Sequence, residues 1–285
     1  MIVPGSTSQS LAAALAEVLD EAVAPVTYDR FPDGELLVGI GDAQPERAIV
    51  VASTTSADAH VEVLQLQDAA RQAGADEVIT VLPYMGYGRQ DEAFEPGHPV
   101  SARAVARAIS TGSDRVLTVC PHENAITEFF KPTGIAVAAG GRLAEPLPAD
   151  LTDPLFLAPD EGAIDLASRV RDAYGAGDTD HFEKTRRSGT EVEITPGDAD
   201  VRNRDVVVVD DIVATGSTMR ESIAVLGERG VGRVFVACVH PLLARDAATK
   251  LYRAGVEAIY GTDTIERPVS AVSVAPVVAE ALDRL

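Results

Sequence analysis

The sequence predicts an α/β protein of two domains, each built on a mainly parallel β-sheet flanked by helices. In both halves, short β-branched apolar runs alternate with longer segments of helical period, which is the pattern of βαβ units. The length of 285 residues is enough for two hydrophobic cores at about 150 residues per domain. The segment 140–154 has three prolines, two glycines and weak periodicity, so it marks the boundary.

These observations give the domain limits and the elements within them. We expect an N-terminal domain at 1–142, a C-terminal domain at 143–275, and a final helix at 276–285 that could pack on either domain, including back on the first. Strands are predicted where short runs are rich in Val, Ile and Leu, and these runs are 48–52, 77–82, 115–120, 155–158, 205–210, 233–239 and 257–260. Helices are predicted where apolar residues recur every three to four positions, and these segments are 9–19, 60–73, 101–109, 162–173, 217–229 and 244–254.

The charge balance excludes two classes of partner. Twenty-four basic and 44 acidic residues give a net charge of −20, which disfavours nucleic acid and anionic membranes, since both attract basic surfaces. Only three residues are lysine, and the acidic residues are dispersed along the chain. This composition predicts a protein kept soluble in concentrated salt, where charge repulsion is screened. An ordinary acidic cytoplasmic protein is the alternative.

The sequence also predicts a cytoplasmic location. No run approaches the roughly 18 apolar residues of a membrane-spanning helix, and the amino terminus lacks the pattern of a secretory signal. Cys120 and Cys238 each lie in a strand-like run, so we expect two buried thiols rather than a disulfide or a metal site.

The strongest local motif is the segment 206–219, VVVVDDIVATGSTM. Four valines indicate a strand buried on both faces, which puts Asp210 and Asp211 at its carboxyl end, where open α/β sheets bind ligands. The residues that follow offer backbone N–H groups, hydroxyls and a helix amino terminus, which together suit a phosphate group. The paired carboxylates would accept hydrogen bonds from sugar hydroxyls. The alternative is a strand followed by an ordinary capped helix start.

This segment resembles the phosphoribosyl diphosphate (PRPP) binding motif shared by type I phosphoribosyltransferases and ribose-phosphate pyrophosphokinases. Further segments resemble the pyrophosphokinases specifically, from about residue 2 to 276 and in the same order. They are Phe31-Pro32-Asp33-Gly34-Glu35, the run 84–91 (YMGYGRQD), the run 96–102 (PGHPVSA), Pro121-His122-Glu123, Pro159-Asp160-Glu161-Gly162-Ala163 and Glu183-Lys184-Thr185-Arg186. The segment 183–194 is closest to archaeal members. The chain departs from the family's usual residues at His60, His98 and Cys120-Pro121.

The resemblance implies two tandem phosphoribosyltransferase-like domains and the transfer of the β,γ-diphosphoryl group of ATP to ribose 5-phosphate. It implies Mg²⁺ as cofactor and a homo-oligomer with the ATP site near a subunit interface. The implied ATP-binding residues are Phe31, Asp33, Glu35, Arg89, Gln90 and Asp91. The implied ribose 5-phosphate residues are Asp210, Asp211, Ala214, Thr215, Gly216, Ser217 and Thr218. The implied catalytic residues are Lys184 and Arg186, and the implied metal ligands are His122 and Asp160.

Structural alternatives stay open for several of these residues. The run 31–35 is also an ordinary surface turn, Arg89 a solvated arginine, and Asp160 a helix cap. Ser53-Thr54-Thr55 resembles the family's diphosphate loop but also a cap. The segment around Lys184 and Arg186 has weak periodicity, which predicts a mobile loop.

Two other functions also stay open. A PRPP-consuming phosphoribosyltransferase shares the PRPP motif, and a catalytically silent regulatory homologue would share the fold. The presence of the ATP segments, of Lys184 and Arg186, and of the Asp210-Asp211 pair argues against both.

Overall fold

The chain divides into two compact units, each with its own sheet. The structure is a computed structural model that describes residues 1–131, 134–186, 192–196 and 199–285, and within these ranges the side chains of 183–186, 192–196 and 218 are not described. Unit 1 contains Met1–Ala138, Asp263–Glu266 and Ser273–Leu285, and unit 2 contains Ala139–Thr262 and Arg267–Val272.

Unit 1 is built on a five-stranded parallel sheet. Its elements in chain order are β1 (Ile2–Pro4), α1 (Gln9–Leu19), β2 (Thr27–Arg30), β3 (Leu36–Gly39), β4 (Arg47–Val51), α2 (Ala57–Gln72), β5 (Glu77–Leu82), α3 (Ser101–Ser110), β6 (Arg115–Val119) and β7 (Gly134–Val137). The strand order is β1-β4-β5-β6-β7. The central strands are apolar because helices cover both faces of such a sheet. β2 and β3 form a separate antiparallel hairpin.

Unit 2 is built on a seven-stranded sheet. Its elements are β8 (Leu155–Ala158), α4 (Ile164–Tyr174), β9 (Asp178–Arg186), β10 (Val192–Pro196), β11 (Val206–Ile212), α5 (Ser217–Glu228), β12 (Val234–His240), α6 (Ala247–Arg253), β13 (Val256–Thr262) and β14 (Ser270–Val272). The strand order is β10-β9-β8-β11-β12-β13-β14, and every pair is parallel except β9 with β10.

The last helix of the chain completes unit 1. Helix α7 (Ala275–Leu282) has a proline in its first turn and packs against α1 through a buried face that includes Val278 and Leu282. Glu266 also joins the two chain ends, because its carboxylate accepts hydrogen bonds from the N–H groups of Ser10 and Leu11 at the start of α1.

The predicted fold class is confirmed, and each predicted strand and helix matches an observed element with shifts of up to three residues at its ends. One prediction is corrected: Lys184 and Arg186, which the sequence places in a mobile loop with Arg187, Ser188 and Gly189, belong to strand β9. Residues 187–191 lie outside the described part, so a loop there stays a prediction. Both cysteines are free, Cys238 is buried, and Cys120 is only half-buried. Within the described ranges, no helix has the length and apolar character needed to cross a membrane.

Candidate functional site

The acidic pair lies at the carboxyl edge of the unit 2 sheet. The four valines of β11 are fully buried, since β11 is an interior strand between β8 and β12 and helix α4 packs against it. Burial decreases at the end of the strand, so Asp210 and Asp211 are half-buried. Asp210 lies opposite Cys238 of β12 in the parallel register. The prediction that these carboxylates lie at the carboxyl end of a buried strand is therefore confirmed.

The electrostatics of this edge are unfavourable for a second negative charge. Burial, the neighbouring Asp211 and the more distant Asp160 raise the pKa of Asp210 to about 8. The N–H of Asp211 donates to Oδ1 of Asp210 at 2.9 Å, which favours the ionised form but does not outweigh the other effects. The edge therefore suits groups that donate hydrogen bonds or carry positive charge.

The loop after Asp211 turns into helix α5 at Gly216. This glycine has φ of +67°, in the left-handed region that side chains rarely adopt, and α5 begins at the next residue. Thr215 and Ser217 are exposed on either side of it, and the side chain of Thr218 lies outside the described part. A helix amino terminus next to exposed hydroxyls can bind a phosphate group.

A neighbouring segment fixes the start of this loop. The N–H groups of Leu243 and Ala244 donate to the carbonyl oxygens of Val213 and Ala214, at 2.8 and 2.9 Å. Leu243 has φ of +44°, an uncommon conformation for a leucine. No sequence pattern indicates these supporting residues, because their contribution is made by the backbone and leaves no side-chain pattern.

Strand β9 carries Lys184 and Arg186 past the end of its parallel neighbour. The pairing of β8 with β9 ends at Ala158 and His181, whereas β9 continues to Arg186 and pairs there with β10. At about 3.3 Å per residue, Lys184 is roughly 10 Å and Arg186 roughly 16 Å beyond the last paired position. Because β8 and β9 are parallel, this extension projects from the carboxyl edge where Asp210 lies. The side chains of Lys184 and Arg186, and residues 187–191, are outside the described part.

In unit 1, the segment 31–35 forms the turn of the β2–β3 hairpin. The N–H of Phe31 donates to the carbonyl of Glu35 at 2.9 Å, and Gly34 adopts φ of +96°. Arg30 holds the turn, because Nη1 donates to the carbonyl of Gly34 and Nη2 pairs with Asp58 of α2. Phe31, Asp33 and Glu35 are exposed. The surface turn expected as an alternative is present, and it displays the three side chains that the resemblance assigns to ATP.

The segment 84–91 leaves the carboxyl end of β5 and displays its polar residues. Tyr84 and Met85 are buried, whereas Arg89 and Gln90 are exposed and Asp91 is half-buried. The N–H of Gln90 donates to the carbonyl of Tyr87 at 2.9 Å, which closes a turn that contains Arg89 and Gln90. The apolar beginning of the segment therefore anchors it, and its end is available to a ligand.

The serine and threonine residues after β4 have structural contacts. Ser53 and Thr54 are buried. The N–H of Gly86 donates to Oγ1 of Thr54 at 2.9 Å, and Oγ of Ser53 accepts from the N–H of Tyr84 at 3.1 Å. The capping hydroxyl of α2 belongs to Ser56, which accepts from the N–H of Ala59. These contacts join the loops after β4 and β5.

The two proposed metal ligands belong to different units. His122 is exposed after the end of β6, and Asp160 is exposed after the end of β8. Among the residues that the structure describes, no three His, Cys, Asp or Glu side chains form a metal-binding group. Mg²⁺ retains several waters and needs only one or two carboxylates, so the exposed carboxylate of Asp160, close enough to raise the pKa of Asp210, fits a magnesium ligand.

Comparison with known proteins gives matches along the whole chain. Residues 1–112 match the N-terminal domain of ribose phosphate pyrophosphokinase, and residues 132–271 match the phosphoribosyl transferase domain. The chain is 64% identical to the ribose-phosphate pyrophosphokinase of Halobacterium salinarum, over 99% of this chain and 100% of the relative. It is 44% identical to that of Methanopyrus kandleri, over 100% of this chain and 99% of the relative.

A solved structure has the same fold. Phosphoribosylpyrophosphate synthetase from Mycobacterium smegmatis matches with a TM-score of 0.84 and 26% sequence identity, covering 99% of this chain and 97% of that one. The match extends over both units, which supports the two phosphoribosyltransferase-type domains expected from the sequence.

Proposed function

The chain belongs to the ribose-phosphate pyrophosphokinase family, and from this premise we propose how its residues divide the reaction. The enzyme transfers the β,γ-diphosphoryl group of ATP to the anomeric hydroxyl of ribose 5-phosphate and gives PRPP and AMP. The structural observation that carries the assignment of roles is the acidic pair at the end of β11, followed by Gly216 and the start of α5.

Ribose 5-phosphate binds at this edge. The carboxylates of Asp210 and Asp211 accept hydrogen bonds from the sugar hydroxyls, and residues 214–218 bind the 5-phosphate through N–H groups and hydroxyls. Sugar hydroxyls that donate to Asp210 would lower its raised pKa and so favour the ionised form when the sugar is bound.

ATP binds to the segments 31–35 and 89–91. The guanidinium group of Arg89 contacts a phosphate, since its planar set of donors matches phosphate oxygens. Gln90 and Asp91 bind or orient the nucleotide. Phe31, Asp33 and Glu35 contact the adenine or the ribose, and the exposure of their turn supports that role.

Lys184 and Arg186 stabilise the transferring diphosphoryl group. The anomeric hydroxyl attacks the β-phosphorus, the bond from that phosphorus to the α-phosphate oxygen breaks, and AMP leaves. Negative charge spreads over the phosphoryl oxygens in the transition state, so positioning and positive charge provide most of the catalysis. The extension of β9 beyond β8, at the edge that carries Asp210, supports this role.

His122 of unit 1 and Asp160 of unit 2 would each be a ligand of Mg²⁺, which when bound neutralises phosphate charge. Asp160 fits this role because its carboxylate oxygens are exposed and Mg²⁺ prefers oxygen ligands. The homo-oligomer, the ATP site near a subunit interface, the cytoplasmic location and the domain limits at 142 and 275 stay predictions.

The identity of the nucleotide product, AMP or ADP, tests the reaction. Attack at the β-phosphorus releases AMP, whereas attack at the γ-phosphorus would release ADP. With ATP, ribose 5-phosphate and Mg²⁺ in molar KCl, chromatography should detect AMP and PRPP in equal amounts. Stoichiometric ADP would contradict the proposal, and absence of turnover with retained nucleotide binding would indicate the silent homologue.

A further inference from the structure

The first turn of α2 lies against the loop that leads to Arg89. His60 is the fourth residue of α2, and its ring centroid is 5.5 Å from that of Tyr87, with the planes tilted by 38°. The loop passes so close that a Cβ on Gly86 would lie 3.1 Å from Nε2 of His60 and 2.1 Å from the carbonyl oxygen of Thr54. His60 therefore occupies the space next to Gly86 and Tyr87.

The imidazole of His60 acts here through its shape rather than through its nitrogens. Both ring nitrogens are buried from solvent, and neither has a hydrogen-bond partner within the described residues. Burial lowers the pKa of His60, which favours the neutral ring. An unpaired buried polar atom is costly, and the visible compensation is the contact with the ring of Tyr87.

Tyr87 needs such a support because its backbone is strained. Its φ is +63°, which is uncommon for a residue with a large side chain, and its side chain is about half exposed. The carbonyl of Tyr87 accepts from the N–H of Gln90, so the conformation of Tyr87 determines where Arg89 and Gln90 are displayed.

We propose that His60 is a positioning residue for the nucleotide: its ring supports Tyr87 and thereby sets the position of Arg89. This inference rests on the assignment of Arg89 to ATP made above. On this proposal His60 contacts neither substrate, and it affects the binding of ATP but not of ribose 5-phosphate.

The test compares His60→Ala with His60→Phe, which restores an aromatic ring without nitrogens. Val61→Ala is the matched control, since Val61 is the next residue of α2 and is 45% exposed. For His60→Ala we expect the ATP KM to rise about tenfold, since small misplacement of a binding group has large effects, with the ribose 5-phosphate KM within about twofold of wild type. His60→Phe should recover most of the loss, and Val61→Ala should behave as wild type.

A second pair of variants covers the case in which His60→Ala does not fold. Tyr87→Ala removes the other ring from the exposed side, and it should raise the ATP KM by a similar factor. The double variant His60→Phe/Tyr87→Ala should have the same ATP KM as Tyr87→Ala alone, because the two residues act through one contact.

The outcomes separate the inference from the function on which it rests. Equal increases in both KM values, no recovery by His60→Phe, or a wild-type ATP KM in Tyr87→Ala would each overturn the positioning role. Arg89→Ala tests the premise: if it leaves the ATP KM unchanged, the ATP assignment fails. If Arg89→Ala raises the ATP KM and His60→Ala does not, only the positioning role fails.

Discussion

Two aspartates at opposite ends of β11 have opposite electrostatic environments. Asp205, just before the strand, is 3% exposed, and burial alone would raise its pKa. Hydrogen bonds from Arg233 and from the N–H groups of Thr152 and Arg233 outweigh that effect, so the pKa of Asp205 lies below its usual value. Asp210, at the other end, has only the N–H of Asp211 as a lowering contact among the described residues, and its pKa is raised. The first carboxylate stabilises the fold, whereas the second is kept at the expense of stability.

We therefore predict that Asp210→Asn stabilises the ligand-free protein, and more so as the pH rises. Because its folded pKa is near 8 and its ordinary value is 3.8, the folded wild type retains a proton that the unfolded chain loses between these pH values. The stability that this proton provides is complete below about pH 4 and is lost as the pH approaches 8. Thermal unfolding at pH 5 and pH 9, both in molar KCl, should show a larger gain for the variant at pH 9.

Asp205→Asn is the matched control, and its effect has the opposite sign. The pKa of Asp205 is lower in the folded protein than its ordinary value. Asp205 therefore stabilises the protein at pH values above that ordinary pKa, and this stabilisation is lost as the pH falls through the pKa of the folded state. The variant should therefore be less stable than wild type at pH 7. An equal gain for Asp210→Asn at both pH values would contradict the first prediction, and a neutral Asp205→Asn would contradict the second.

The same Asp210→Asn variant should bind ribose 5-phosphate more weakly, as should Asp211→Asn. Loss of a charged acceptor for a sugar hydroxyl costs about 1.5–3 kcal/mol. Steady-state kinetics should show a raised ribose 5-phosphate KM and a nearly constant ATP KM for both variants. The reverse pattern would assign the acidic pair to the nucleotide.

At the scale of elements, sequence patterns predicted the buried strands well and the edge strands poorly. β5 and β8 match the predicted limits because every residue of β8, and all but the first of β5, is buried and apolar enough to mark the strand. β2 has the sequence TYDR and is mostly exposed, so no apolar pattern indicates it. Its conformation comes from pairing with β3, which a local pattern does not contain.

The site shows the same division between local and non-local information. Asp210, Asp211 and Gly216 were predicted because they follow a run of valines directly. Strand β9, DTDHFEKTR, has little apolar alternation, and only its pairing with β8 and β10 makes it a strand. The support of Tyr87 by His60 depends on two elements 27 positions apart, and its signals, a buried unpaired ring and a positive φ, exist only in three dimensions.

The position of Lys184 and Arg186 on the β9 extension predicts that loss of either positive charge lowers kcat. Lys184→Ala and Arg186→Ala should each lower kcat by on the order of 10²–10³, as loss of a transition-state charge contact does, with modest changes in both KM values. The double variant should lose less than the product of the single losses if the two residues act as one unit.

Arg202→Ala is a suitable control, since this exposed arginine of the same unit lies just before β11, at the opposite edge of the sheet. A kcat near wild type in Lys184→Ala would exclude the catalytic role of that residue.

At the scale of the whole molecule, the net charge of −20 is the dominant property. Like charges on a compact particle repel, and molar salt reduces the Debye length to about 3 Å, so the folded state should need high salt. We predict that thermal stability and activity fall as KCl is lowered from molar to millimolar concentration. Calorimetry and the AMP assay across that range provide the measurements.

A control with sucrose distinguishes the screening of charge by salt from stabilisation by a solute that is excluded from the protein surface. It stabilises proteins by being excluded from their surface, but it does not screen charge. At low KCl, sucrose should therefore restore little of the lost stability. Full stability in dilute buffer would contradict adaptation to salt and would favour the alternative of an ordinary acidic protein.

The packing of α7 on α1 has a consequence for how the chain is made. Glu266, which caps α1, is 255 positions from Leu11, and α7 follows still later. When the first sheet has left the ribosome, α1 still lacks both its cap and the helix that covers its apolar face. Residues 139–262 of unit 2 must be translated before Glu266, and the rest of unit 2 before α7. The unit synthesised first is thus the one finished last, so an incomplete chain exposes an apolar helix face, and termination before residue 275 should produce aggregates rather than a working first half.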